Sequence, residues 1–365
     1  MKQINTLQSI RFFAFMMIFL LHTQTYHFTK FIYSAPCAVS FFIMLSGFLY
    51  GYKYCNYQKN INLKEIINFA LKKIKGFYPL HLIMLIILIP LSGIFTLVNI
   101  NDINEIMIFV KKFVINVLLL QSYTTTDYFY FNGVSWYLSS TVFLIVITLP
   151  LIKIISKIGN SSKGIIKLSI CMLFILIIDF IYILYIKNNS YSLEYWLYVF
   201  PPSRITEYVF GIITGFIIGK KGESLSKKFN TLIFTLLELF ITLSLIFIIK
   251  NVYIDEWLWR TIIWIIPNTF LIAIFSFEKG ILSKLISNKL FIYLGSITFE
   301  LFLIHGVIIS YFLRIIGDNL TNIAKFSVLF YIFTLTIIFS VFAHSIRKNF
   351  SSSSARRTLS SNIHE

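Results

Sequence analysis

Two ionisable residues, Arg11 and His22, lie in the first apolar stretch of the chain. Eleven helical positions return to within about 20° of the starting direction, so both side chains leave one helix face, roughly 16 Å apart along the axis. Inside a membrane such groups are costly unless partnered or wetted. An arginine at a channel mouth pairs with phosphate, and a neutral imidazole deeper in takes up a proton, a combination that suits a large anionic donor reacting at its far end. The same spacing also admits a structural reading, with Arg11 snorkelling to one interface and His22 bonding to a neighbouring helix. Spacing by itself leaves both open.

The elements that position these residues follow from composition. Of 365 residues 57% are hydrophobic and 13% charged, with 39 Phe, 21 Tyr and 5 Trp. That balance cannot clothe a protein in a water-facing shell. Its apolar stretches are continuous rather than alternating, which selects helices over a closed barrel. The pattern predicts an all-α transmembrane bundle of about ten spans, near 8–28, 36–53, 77–98, 137–156, 165–186, 203–219, 229–250, 257–277, 290–314 and 323–344. The segment 106–120 is apolar but carries Lys111 and Lys112, and is predicted as a short interfacial helix.

Residues 1–346 are expected to form one membrane domain, the first span being retained rather than cleaved, and 347–365 a polar, disordered cytoplasmic tail. The net charge of +17 is concentrated in alternate connections, which by the positive-inside rule puts both termini in the cytoplasm. With no separate basic domain, nucleic acid is not an expected partner. Cys37, Cys55 and Cys171 lack the spacing of a disulfide framework or a zinc site, and no metal is expected.

Other ionisable residues fall within the spans. Arg204 and Glu207 are three apart on one helix, started by Pro201-Pro202, and read either as an ion pair or as an outer-side site for sugar or lipid phosphate. His305 shares a span with Glu300 and by residue count lies at a depth similar to that of His22, so two imidazoles could line one cavity. Glu238 and Asp179 are single carboxylates on apolar spans, expected to be neutralised or paired.

A series of short motifs runs along the chain in order. Arg11 to His22 is followed by Phe42-Ile43-Met44-Leu45-Ser46-Gly47, Lys72-Lys73-Ile74-Lys75 before Tyr78-Pro79, and Trp136-Tyr137-Leu138-Ser139. Next come Arg204 to Gly211, then Leu294 to Phe299 with His305. In order and spacing this resembles the acyltransferase-3 family of bacterial integral-membrane acyltransferases, from the first span to the tenth. The resemblance implies transfer of an acyl group, usually acetyl from acetyl-CoA, to a hydroxyl of a surface or exported glycan, in the bacterial cytoplasmic (inner) membrane.

The family's catalytic Arg and His map onto Arg11 and His22, and its second-span Ser-Gly onto Ser46-Gly47. The chain departs from the pattern at two places. Lys73 and Gly76 stand where the family often has two arginines, so a clamp for the CoA phosphates would rest on Arg11 with Lys72, Lys73 and Lys75 as point charges. Thr141 stands where many members have an acid. Supporting or substrate-binding roles are expected for Ser46, Trp136, Arg204, Glu207 and His305, with an interfacial anchor as the other reading of Trp136. On composition a transporter or flippase for a polysaccharide precursor fits equally well, although the chain lacks the matched interruptions of inverted-repeat transporters.

Overall fold

In a computed structural model the described residues are 3–26, 34–57, 61–92, 102–251, 258, 260, 262–317 and 320–361, and they contain helices, turns and short loops without a strand. Fourteen α-helices are present among them: α1 Asn5–His22, α2 Ser34–Lys53, α3 Leu63–Ile74, α4 Tyr78–Leu88, α5 Ile103–Val117, α6 Trp136–Gly159 and α7 Gly164–Asn188. They continue as α8 Ile205–Lys228, α9 Thr231–Asn251, α10 Ile265–Phe275, α11 Ile281–Ile286, α12 Lys289–Ser296, α13 Thr298–Ile316 and α14 Asn322–Ser361. The protein is an all-α polytopic membrane bundle. Among the described residues six helices are long and apolar enough to cross a membrane, seven if the bent pair α3 and α4 is one span.

Several predicted spans are built differently from the single long helices expected. Span 290–314 is broken at Ile297 into α12 and α13, because Gly295 lets α12 press onto α1, where a Cβ would collide with Gln8 O, and Thr298 restarts the chain as a new helix. Span 257–277 is represented by the 11-residue α10, its first residues lying partly outside the described set. The segment expected to lie at the interface is α5. Its C-terminal end docks on the first turn of α4, where Tyr78 Oη donates to Val117 O (2.9 Å) and His81 Nε2 to Asn116 O (2.9 Å), so α5 folds back along α4. The backbone of α14 stays helical as far as Ser361, through most of the expected tail, in a sequence without Gly or Pro to stop it.

The centre of the bundle is the contact between α2 and α8. These helices run parallel and meet backbone to backbone, since Gly47 and Gly51 on one face Gly211 and Gly215 on the other. A Cβ on Gly51 would fall on Ile212 O, and one on Gly211 on Met44 O. In lipid, where apolar surface gives no drive to associate, such close approach is what lets dispersion hold two helices together. The most apolar window of α2 is 78% buried, against 17% for α7, so α2 is an inner helix and α7 a peripheral one that presents Leu173 and Phe174 outward.

Around this pair, α6 is tied to α8 by Thr148 Oγ1 and Tyr208 Oη (2.6 Å), and α1 lies between α2 and the α12–α13 pair. Ile4, which precedes α1, offers no cap. The Glu278 carboxylate accepts instead from Asn5 N (2.6 Å) and Thr6 N (3.3 Å), satisfying the orphan amides and complementing the helix dipole.

Gly211→Ala is expected to destabilise the protein by about 1–3 kcal/mol through overpacking, read as a lower unfolding temperature in detergent. Gly133→Ala, where the nearest neighbour of an added Cβ is 3.8 Å away, is expected to leave it unchanged. Equal unfolding temperatures for the two variants would contradict the packing described.

Candidate active site

His22 closes the last turn of α1 and meets α13. Its Nδ1 is 2.8 Å from Nε2 of His305, and His305 Nδ1 is 3.1 Å from Leu301 O on the preceding turn. The carbonyl can only accept, so His305 Nδ1 carries a hydrogen and, in the neutral ring, Nε2 carries a lone pair. His22 Nδ1–H therefore donates to it. The remaining nitrogen, His22 Nε2, is left with its lone pair outside this chain of bonds.

The two rings differ in access. His305 is fully buried, with Phe15 edge-on at 5.5 Å and Phe302 at 6.0 Å between ring centroids, while His22 is exposed. A buried ring orients an accessible one. The loop before α6 is pinned beside them, since Asn132 Nδ2 donates to Leu303 O (3.0 Å) and its Oδ1, without a hydrogen-bond partner, lies against Gly306.

Arg11 is on the same side of α1, three turns earlier and half-buried. Its Nη1 donates to Gln8 Oε1 (3.4 Å), and it lies close enough to Tyr137, Glu300 and Arg347 for electrostatic interaction with each. Ser46 and Tyr137 line a cavity of about 50 Å³ with Tyr50, Thr141 and Tyr208. That cavity does not include Arg11 or His22 among its lining residues, nor does a shallower pocket of about 390 Å³ beside α5.

The expected basic cluster is spread out. Lys72 and Lys75 are exposed, whereas Lys73 is half-buried with Nζ 5.3 Å from the Tyr50 ring centroid and 5.7 Å from that of Phe69. Lys73 thereby reaches the wall of the Ser46 cavity. The turn after Lys75 touches α13 through Phe77 and Phe299, 6.3 Å between centroids.

Arg204 and Glu207 belong to a different cluster. Arg204 Nη2 is 3.0 Å from Glu207 Oε2, both residues are at most 1% exposed, and the guanidinium lies over Tyr198 at 5.1 Å. Ser40 and Asp179 lie near the pair, close enough to influence its electrostatics. Trp136 is buried at 6% exposure and packs on Tyr198 (4.9 Å), which sets it in the core and not at a membrane surface as an anchor. Glu238 is fully buried and caps α11, accepting from Gly280 N (3.0 Å) and Ser283 N (3.1 Å). Among the described residues no three His, Cys, Asp or Glu gather at metal-binding distance.

Sequence reasoning passed over Tyr137, Glu300, Arg347 and Asn132. Tyr137 stands inside the Trp136–Ser139 motif, Glu300 shares a span with His305, and Arg347 falls in the polar tail, so their types and spacing alone give none of them a role. Nothing short of the packing places Asn132.

Residues 4–345 match the acyltransferase-3 family, described as an acyltransferase domain. The chain belongs to that family and is a membrane acyltransferase. No curated protein and no solved structure matches it.

Breaking the buried Arg204–Glu207 pair leaves one charge uncompensated, so Glu207→Gln is expected to cost about 3–5 kcal/mol in detergent unfolding. The double variant Arg204→Met/Glu207→Leu is expected to recover most of that loss. A single variant as stable as the wild type would show that the pair does not hold α8 in place.

Proposed function

We propose that the protein is an O-acyltransferase of the bacterial cytoplasmic membrane, with both termini cytoplasmic. It moves an acyl group, acetyl on the family resemblance, from acyl-CoA to a hydroxyl of a surface or exported glycan. The observation that carries this is the His22–His305 hydrogen bond, which leaves an accessible His22 Nε2 as a proton acceptor.

In this scheme the acceptor hydroxyl gives its proton to His22 Nε2 as its oxygen bonds to the thioester carbonyl carbon. The imidazolium so formed strengthens its Nδ1–H bond to His305, because a charged donor makes the stronger hydrogen bond. Collapse of the tetrahedral intermediate breaks the C–S bond, and the proton on Nε2 passes to the departing CoA thiolate. His22 is thus base and then acid, with His305 as a positioning residue. Arg11, three turns away toward the cytoplasm, binds phosphate of the donor with help from Lys72, Lys73 and Lys75. Ser46, whose neighbour Tyr137 also faces Arg11, and Trp136 are the side chains carried forward as supporting groups, and Arg204 with Glu207 as acceptor recognition from the outer side.

The test uses purified protein in detergent with acetyl-CoA and an acceptor glycan extract, following release of free CoA and ester-linked acetate. His22→Ala is expected to lower turnover by about 10²–10⁴-fold. His305→Ala should lower kcat with little change in the KM for acetyl-CoA, and Arg11→Ala should raise that KM. Full turnover by the His22 variant at equal protein level would refute the assignment of the base.

A further inference from the structure

A second group of ionisable residues gathers near Arg11, on the last two helices. Glu300, in the first turn of α13, is fully buried. Its Oε1 accepts from Arg347 Nη2 (2.9 Å) and lies 3.1 Å from His344 Nδ1, both on α14, whereas its Oε2 has no hydrogen-bond partner among the described residues. A buried carboxylate oxygen left unmet loses its hydration without recompense. Arg347 is the accessible member, with its side chain 40% exposed and its guanidinium over the Phe299 ring at 5.4 Å.

Phe299 also touches Phe77, two residues beyond the exposed Lys75, so Arg347 and the lysine turn flank the same ring. Arg11 is within electrostatic reach of both Glu300 and Arg347. Two guanidiniums from two helices therefore lie near one carboxylate, and only that of Arg347 pairs with it directly.

We propose that Arg347 binds the 3′-phosphate of acyl-CoA, with Arg11 on the diphosphate. This rests on the acyl-CoA reading above. It follows from the order of groups along the bundle. The two imidazoles are three turns from Arg11, roughly 16 Å along α1, a length comparable with an extended pantetheine arm. Arg347 lies one turn beyond His344 on α14, and its guanidinium meets Glu300 on the Arg11 side of the imidazoles. The planar fork of a guanidinium matches phosphate oxygens in a way the lysine cluster does not. Glu300 holds that fork in place, and the partial exposure of Arg347 keeps its desolvation cost low.

The alternative is that Arg347 is only the counter-ion of Glu300. The two differ in whether Arg347 senses the 3′-phosphate. The experiment is equilibrium binding of acetyl-CoA and of acetyl-3′-dephospho-CoA to the full chain in detergent, for wild type, Arg347→Gln and the double variant Arg347→Gln/Glu300→Gln. The double variant leaves no unpaired buried charge, so it reports even if the single one fails to fold.

Wild type should prefer the 3′-phosphorylated ligand by on the order of tenfold, the usual worth of a charge-assisted bond. Both variants should lose that preference while binding the dephospho ligand within about threefold of wild type, less than such a bond would cost. Equal weakening for the two ligands, or an intact preference in a folded variant, would overturn the assignment and leave Arg347 as a counter-ion. Failure of wild type to bind either ligand would instead overturn the acyl-CoA reading itself.

Discussion

The proposed chemistry of this protein depends on a hydrogen bond between two imidazoles at different degrees of burial. His305 is fully buried, its Nδ1–H goes to the carbonyl of Leu301, and its Nε2 accepts from outside its own helix. His22 fills that role, and in doing so has its tautomer and ring orientation fixed. In the proposed reaction two rings and one carbonyl do the work that a carboxylate does for an imidazole in other acid–base sites. A carboxylate in place of His305 would carry a charge into a Phe-lined pocket, where its desolvation would be expensive.

The rest of the bundle serves to bring these groups level. Glu278 caps α1 and Gly295 lets α12 press against it, which fixes the register of α1 on α13. The glycine contact between α2 and α8 then sets Ser46 against Tyr137 on α6 and carries the buried Arg204–Glu207 pair into the bundle. The ionisable residues Asp179 on the peripheral α7 and Glu238 on α9 are turned toward the inside of the bundle, and the inner helices carry several. For the same reason α1 and α8, with Arg11, His22 and Glu207, are not among the helices that stand out as spans by hydropathy.

Much of this was legible in the sequence, and the remainder failed for identifiable reasons. The shared face of Arg11 and His22 follows from helical periodicity, and the helix bundle from continuous apolar runs. The level of His305 was inferred by counting from position 290, yet the helix that carries it begins at Thr298, so the match with His22 depends on the packing of α1 against α13 and not on depth counting. The spacing of Gly47 with Gly51, and of Gly211 with Gly215, could have been read as two close-packing faces, although nothing local says that each is the other's partner. Arg347 was invisible because a basic residue just past a last span looks like any positive-inside anchor. Only the buried carboxylate at Glu300, seen in three dimensions, gives it a specific neighbour.

Nitrogen-15 magnetic resonance of histidine-labelled protein tests the orientation of the pair most directly. The account predicts that neutral His22 carries its hydrogen on Nδ1, with a scalar coupling across the hydrogen bond to His305 Nε2 that vanishes in His305→Ala. Finding the hydrogen of neutral His22 on Nε2, or no coupling between the two rings, would contradict it.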